Sequence, residues 1–185
     1  MVSQFVSSHE QRKLDELDFE FPQGTNAVGR LDDESEGLLI LTTDKTLTKR
    51  LLHPDKKHSR TYIVQVEKIV NELTLLRLKT GVEILIKGQN RPYTTLPCDI
   101  RIIDKPKNLP GRENSLREDL PQTWLEFVLI EGKNRQIRKM CRIVGHKCKR
   151  LIRTKIEDLD LGTLQPGDVR EIEQKELFKL LKLYD

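Results

Sequence analysis

GRLDDESEGLLIL, residues 29–41, sets Asp32, Asp33, Glu34 and Glu36 directly ahead of an apolar run, Leu38-Leu39-Ile40-Leu41. An apolar residue at every position reads as a strand buried on both faces. Charged side chains at the edge of a core are costly unless paired, so the segment from Arg30 to Glu36 is either a solvated turn or a site. Asp32 and Asp33 are neighbours, so on an extended backbone they point to opposite sides, which excludes a facing pair of the glycosidase kind. Residue chemistry alone makes a turn or capping role the commoner fate of such a cluster, with Glu34 and Glu36 solvated.

At 185 residues the chain is long enough to bury a core without covalent staples. Its three cysteines, Cys98, Cys141 and Cys148, are an odd number behind a start with no signal-peptide pattern, which points to a reducing, cytoplasmic setting. No apolar run approaches a membrane span. The net charge of +4 is unevenly placed: residues 133–155 hold ten Lys or Arg and no Asp or Glu, while the remainder carries 23 basic and 29 acidic residues. A concentrated basic block on an otherwise acidic chain is the footprint of a polyanion partner, nucleic acid above all.

Val2 to Val6 reads as a short strand with nothing before it, so the opening strand of the fold is expected to be incomplete. Residues 10–24 read as a polar surface segment. Asp44 is expected to cap a short helix with Leu47, Leu51 and Leu52 inward, ended by Pro54. Arg60 to Glu67 alternates as a strand, Asn71 caps a helix with Leu73, Leu75 and Leu76 inward, and Gly81 stops it. Strands follow near 82–86 and 96–103, joined through the turn-like 88–90. Residues 104–122, with three prolines and eight charges, read as a mobile loop. Thr123 to Glu131 is a strand, and Asn134 is expected to cap a helix placing Ile137, Met140, Cys141 and Val144 on its inner face, with Arg135, Arg138, Lys139 and Arg142 outward. Gly145 ends it, a basic strand runs from Lys147 to Arg153, Pro166-Gly167 makes a turn, and a last amphipathic helix spans 173–184 with Leu177, Leu180 and Leu181 inward. The pattern predicts an α+β fold with a mixed, largely antiparallel sheet flanked by helices.

Cys141, His146 and Cys148 lack a fourth ligand for structural zinc, and core packing accounts for the cysteines better. No Gly-rich phosphate loop, Walker lysine or nucleophile elbow is present, so nothing calls for a nucleotide cofactor. Tyr62 read alone is a strand tyrosine packed in a sheet.

In order, GRLDDESEGLLILTTD, RTYIVQVE and EGKNRQIRKMCRIVGHKCKRLIR closely resemble the motifs of RsuA/RluE-type pseudouridine synthases, nearer the RluE branch that acts on large-subunit ribosomal RNA and lacks an S4 domain. The resemblance implies one catalytic domain over residues 1–185, two lobes with a cleft, no metal or cofactor, a ribosomal RNA partner and a monomer. It implies breaking the C1′–N1 bond of a uridine, turning the detached uracil and joining its C5 to C1′. The family's catalytic aspartate falls on Asp32, its stacking tyrosine on Tyr62 and its motif-three arginine on Arg138, expected to pair with Asp32. Arg30 is expected to occupy the space a flipped base leaves, and Leu31 and Ile137 to line the pocket. Lys133, Arg135, Lys139, Arg142, Lys147, Lys149 and Arg150 are expected on the phosphate side. Arg60 stands where lysine is commoner. A non-catalytic RNA-binding or ribosome-assembly factor is the alternative, and a hydrolase would need a second carboxylate facing Asp32.

Overall fold

In the computed structural model, residues 3–5, 12–53, 56–112 and 115–183 are described. In chain order they form β1 (Asn26–Ala27), β2 (Glu36–Gly37), β3 (Leu41–Thr42), α1 (Leu47–Leu52), β4 (Arg60–Glu67), α2 (Glu72–Thr80), β5 (Glu83–Ile84) and β6 (Tyr93–Thr94). There follow β7 (Asp99–Ile103), β8 (Gln122–Leu129), α3 (Gln136–Ile143), β9 (Cys148–Ile156), β10 (Leu159–Asp160) and α4 (Gln174–Leu180).

The alternating run at 60–67 becomes the centre of the main sheet, whose order is β10-β9-β4-β8-β7. All of these neighbours are antiparallel, and β2 adds to β9 in parallel, so the sheet is mixed and largely antiparallel as its sequence pattern predicts. Alternation puts Tyr62, Val64 and Val66 on one face of β4. That face meets Leu125, Phe127 and Leu151 and is closed by Leu78 of α2 and by Ile137, Met140 and Cys141 of α3. A second core joins Leu38, Ile40, Leu47 and Leu51 to Ile156, Leu159, Leu177 and Leu181. Strand β9 contributes to both cores, so one sheet carries the two halves.

The run 38–41 is not one doubly buried strand. Leu38 N–H donates to the Arg153 carbonyl (2.8 Å) on β9, while the Ile40 carbonyl accepts from Val28 N–H (2.8 Å) beside β1. The chain changes partners within four residues, burying Leu38 and Ile40 and leaving Leu39 and Leu41 half-buried. This crossing depends on Gly37. Its φ is +99°, and a Cβ there would lie 2.2 Å from the Arg153 carbonyl oxygen. Only glycine lets β2 approach β9 this closely.

Other expectations need correction. Asp44 does not cap α1; it accepts from Thr46 N–H (2.8 Å) in the turn before the helix, whose cap position is Thr46. Leu52 is exposed, as are Leu73 and Leu76, whereas Leu78 is the fully buried residue of α2. Those leucines were assigned inward from spacing, but α2 packs through the face that Leu75 and Leu78 share. Asn71 does cap α2, accepting from Thr74 N–H at 2.8 Å. Asn134 does not cap α3: Arg135 holds that place in the left-handed conformation (φ 52°), and Gln136 Oε1 accepts from Lys133 N–H (2.9 Å). The described residues between β7 and β8 form no helix or strand, yet the segment is tied down, since Arg150 Nη1 donates to the Pro110 carbonyl (3.0 Å). Of the strand expected at 2–6, Val2 and Val6 lie outside the described residues and Ser3–Phe5 form no strand; Pro54 and Tyr184 also lie outside.

Gly37→Ala is expected to destabilise the fold by about 2–4 kcal/mol, because it combines a backbone clash with a positive φ. Urea denaturation of the two proteins measures this.

Candidate active site and nucleic-acid face

Asp32 sits on a tight turn. Its carbonyl accepts from Ser35 N–H at 2.8 Å, and the turn delivers Glu36 and Gly37 onto β9 opposite Ile152 and Arg153. Arg153 in turn lies opposite Tyr62 on β4. Gly37, Arg153 and Tyr62 thus form a row across three strands, with Gly37 and Tyr62 two strand spacings apart, roughly 10 Å.

The turn is held from both flanks by arginines. Arg150 donates to Glu36 through Nε (3.1 Å) and Nη2 (2.7 Å), and Arg112 Nη1 adds a bond to the same carboxylate at 2.8 Å. Arg112 Nη1 also reaches the Glu34 carbonyl (3.0 Å), which accepts from Arg138 Nη2 (2.7 Å) as well. Arg135 Nη2 pairs with the Glu34 carboxylate at 2.6 Å. Glu36 is half-buried, and burial alone would raise its pKa, but the bonds and charges of Arg150 and Arg112 prevail and hold it below the usual carboxylate range. Glu34 is lowered too, first by the Arg135 hydrogen bond and then by the Arg138 charge. Glu34 and Glu36 are therefore not simply solvated, and nothing in their spacing announced it: their partners lie more than seventy residues away.

Asp32 itself is half-buried, and its carboxylate makes no hydrogen bond or ion pair among the described residues. The Arg135 pKa is raised chiefly by its hydrogen bond to Glu34, with the Asp32 charge adding to the effect. The expected Arg138–Asp32 pair is replaced by a grip on the backbone two residues further on: Arg138 bonds the Glu34 carbonyl and, at 3.4 Å, the Cys148 carbonyl. Asp33 and Leu31, by contrast, line a cavity of about 1330 Å³ together with Ile63 and Ile152. Neither Asp32 nor Tyr62 lines that cavity.

Leu31 is thus on the far side, its N–H donating to Ser3 Oγ (3.0 Å) and its carbonyl accepting from it (3.2 Å). Ile137 is buried in the core against which Tyr62 packs. Arg30 is exposed and reaches Gln4 Oε1 at 3.3 Å.

The basic block divides. Arg150 is 4% exposed, with its donors on Glu36 and the Pro110 carbonyl, so it is not presented to a phosphate. Arg135 and Lys149 are paired with Glu34 and Glu67, at 2.6 and 3.0 Å. Lys133 lies over the Tyr93 ring (4.6 Å to its centroid), and Lys139 Nζ is 3.4 Å from Asn134 Oδ1. Arg142 and Lys147 are exposed. Cys141 and Cys148 pack in the core, burial raising both thiols, Cys148 to about 11, and His146 Nδ1 meets the Glu67 carbonyl at 2.9 Å.

The family described as RNA pseudouridylate synthase matches residues 3–142. The chain belongs to that family. It is 38% identical over 176 residues to a protein of Vibrio parahaemolyticus called ribosomal large subunit pseudouridine synthase E, covering 93% of this chain and 69% of that one. A protein of the same name from Xanthomonas axonopodis pv. citri is 38% identical, with 90% of this chain and 85% of that one covered. Among solved structures, a pseudouridylate synthase superposes with a TM-score of 0.69 at 28% identity; the match covers 88% of this chain and 63% of that one. The arginine clamp holds Glu34 and Glu36 beside the sheet, while Asp32 carries no such bond among the described residues.

Glu36→Ala leaves the buried Arg150 unpaired and is expected to cost about 3 kcal/mol in urea denaturation at neutral pH. Because the folded-state pKa of Glu36 is depressed, the stability it contributes is present above its unfolded value of about 4.3 and is lost as pH falls through the lower folded value. The acid-side loss of stability should be correspondingly shallower in the variant.

Proposed function

We propose that the chain isomerises a uridine to pseudouridine in ribosomal RNA of the large subunit, with Asp32 as the catalytic carboxylate. The observation that carries this reading is Asp32's placement. It stands half-buried and unpaired among the described residues, on a turn whose two glutamates are bound by four arginines, and a strand row links that turn to Tyr62. The names of the relatives supply the substrate.

In this reading a uridine leaves its stack, which costs on the order of a few kcal/mol offset by phosphate contacts and by stacking on Tyr62. Arg142, Lys147, Lys133 and Lys139 make the phosphate contacts. Asp32 attacks C1′, or stabilises the sugar cation, as the C1′–N1 bond breaks with its electron pair going to the uracil. The base turns and C5 bonds to C1′, breaking the Asp32–C1′ bond on the covalent route and returning the free carboxylate; the C5 proton leaves with help from Tyr62 and N1 takes up a proton from solvent. Arg30, exposed beside Asp32, fills the space vacated by the base. Arg138 works at one remove, holding the Glu34 carbonyl so that the Asp32 turn keeps its shape. No step calls on a metal or cofactor. No described helix is long and apolar enough to cross a membrane. The protein acts as a monomer in the cytoplasm, where its RNA is found.

Tritium release from ribosomal RNA labelled at uridine C5 tests the assignment. The parent protein should release tritium and Asp32→Ala should fall to background, a loss of at least about 10³-fold. Release at the parental rate by the variant removes Asp32 from the chemistry.

A further inference from the structure

We propose that Arg153 is a positioning residue for the reaction, a side chain that locks the Asp32-bearing segment to Tyr62 across the sheet. The inference rests on the roles given above to Asp32 and Tyr62.

Arg153 bonds Leu38 twice. Its carbonyl accepts from Leu38 N–H at 2.8 Å, and its Nε donates to the Leu38 carbonyl at 2.8 Å. Leu38 directly follows β2, so this reciprocal pair fixes the end of the segment that began at Asp32. Tyr62 is its cross-strand partner on β4. Burial lowers the pKa of this guanidinium, and the neighbouring Tyr62 side chain favours its charged form. Arg153 therefore bonds one half of the proposed site and lies beside the other.

Fold stability alone does not account for this arginine. It is 5% exposed, has no carboxylate partner among the described residues, and leaves Nη2 buried without a hydrogen bond. A cation buried in this way is commonly replaceable by an apolar chain of similar length without loss of stability. The neighbouring Arg150 is a contrast, since its charge is matched by Glu36. What Arg153 does that methionine would not is hold the Leu38 carbonyl by a side chain whose strand position faces Tyr62. Misplacing a reacting group by about 1 Å can cost about a hundredfold in rate.

The test compares parent, Arg153→Met, Arg153→Lys, Tyr62→Phe, the double variant Arg153→Met/Tyr62→Phe, and Asp32→Ala. Each is assayed for tritium release under saturating RNA, for RNA affinity by filter binding and for thermal unfolding. Arg153→Met should keep its RNA affinity and melting temperature while kcat falls by about a hundredfold. Arg153→Lys, with the charge but one donor centre, should recover only part of the rate. The double variant should lose clearly less than the product of the two single losses, because part of what Arg153 does is exerted through Tyr62. The proposal is overturned if the two losses multiply, if Tyr62→Phe or Arg153→Met turns over at the parental rate, or if both Arg153 variants lose rate only in step with lost folding. Asp32→Ala separates the layers: activity retained there sinks the reading of the site and this proposal with it. An inactive Asp32→Ala beside multiplicative losses sinks only the role of Arg153.

Discussion

Two glutamates held by four arginines govern the architecture around Asp32. Carboxylates at the edge of a core must be paired, and Glu34 and Glu36 are, through Arg135, Arg138, Arg150 and Arg112. These cations come from three places: the segment after β7, the start of α3, and β9. The short turn therefore ties together elements far apart in sequence, and the sheet and the helix above it meet at the acidic segment. Asp32 belongs to the same turn but makes no such bond among the described residues.

The clamp also changes how the charge is understood. Ten positive charges without an intervening acid looked like one phosphate-binding face, yet Arg150 and Arg153 are buried and Arg135, Arg138 and Lys149 already have carboxylate partners. The block works inward as well as outward. Arg142 and Lys147 are the exposed part of the block, and they are the side chains proposed to face RNA together with Lys133 and Lys139. Arg138, which holds the turn, and Lys139 are adjacent on α3.

Much of the fold was legible in the sequence. The alternation of 60–67, the capped helix from Asn71 to Gly81 and the apolar face of α3 all follow from local periodicity and capping chemistry, which tertiary contacts did not override. The exchange of partners inside 38–41 was not legible, because an apolar run does not state which strand each residue will meet. Leu73 and Leu76 were misassigned since α2 has apolar residues on more than one face and spacing alone cannot choose between them. Within the site, sequence motifs could single out Asp32 and Tyr62. The work of Glu36, Arg112 and Arg153 could not be foreseen, because each acts through a long-range contact with no local signature, and Arg138 proved to hold the turn rather than the aspartate.

Arginines fix the backbone turn on which Asp32 stands. Hydrogen–deuterium exchange resolved to the Ser35 amide, which bonds the Asp32 carbonyl, reads this directly. Comparing the parent with Arg138→Gln, exchange at Ser35 should quicken by about tenfold or more while amides of β4 and β8 keep their protection. Unchanged exchange at Ser35 in a folded variant would contradict the claim.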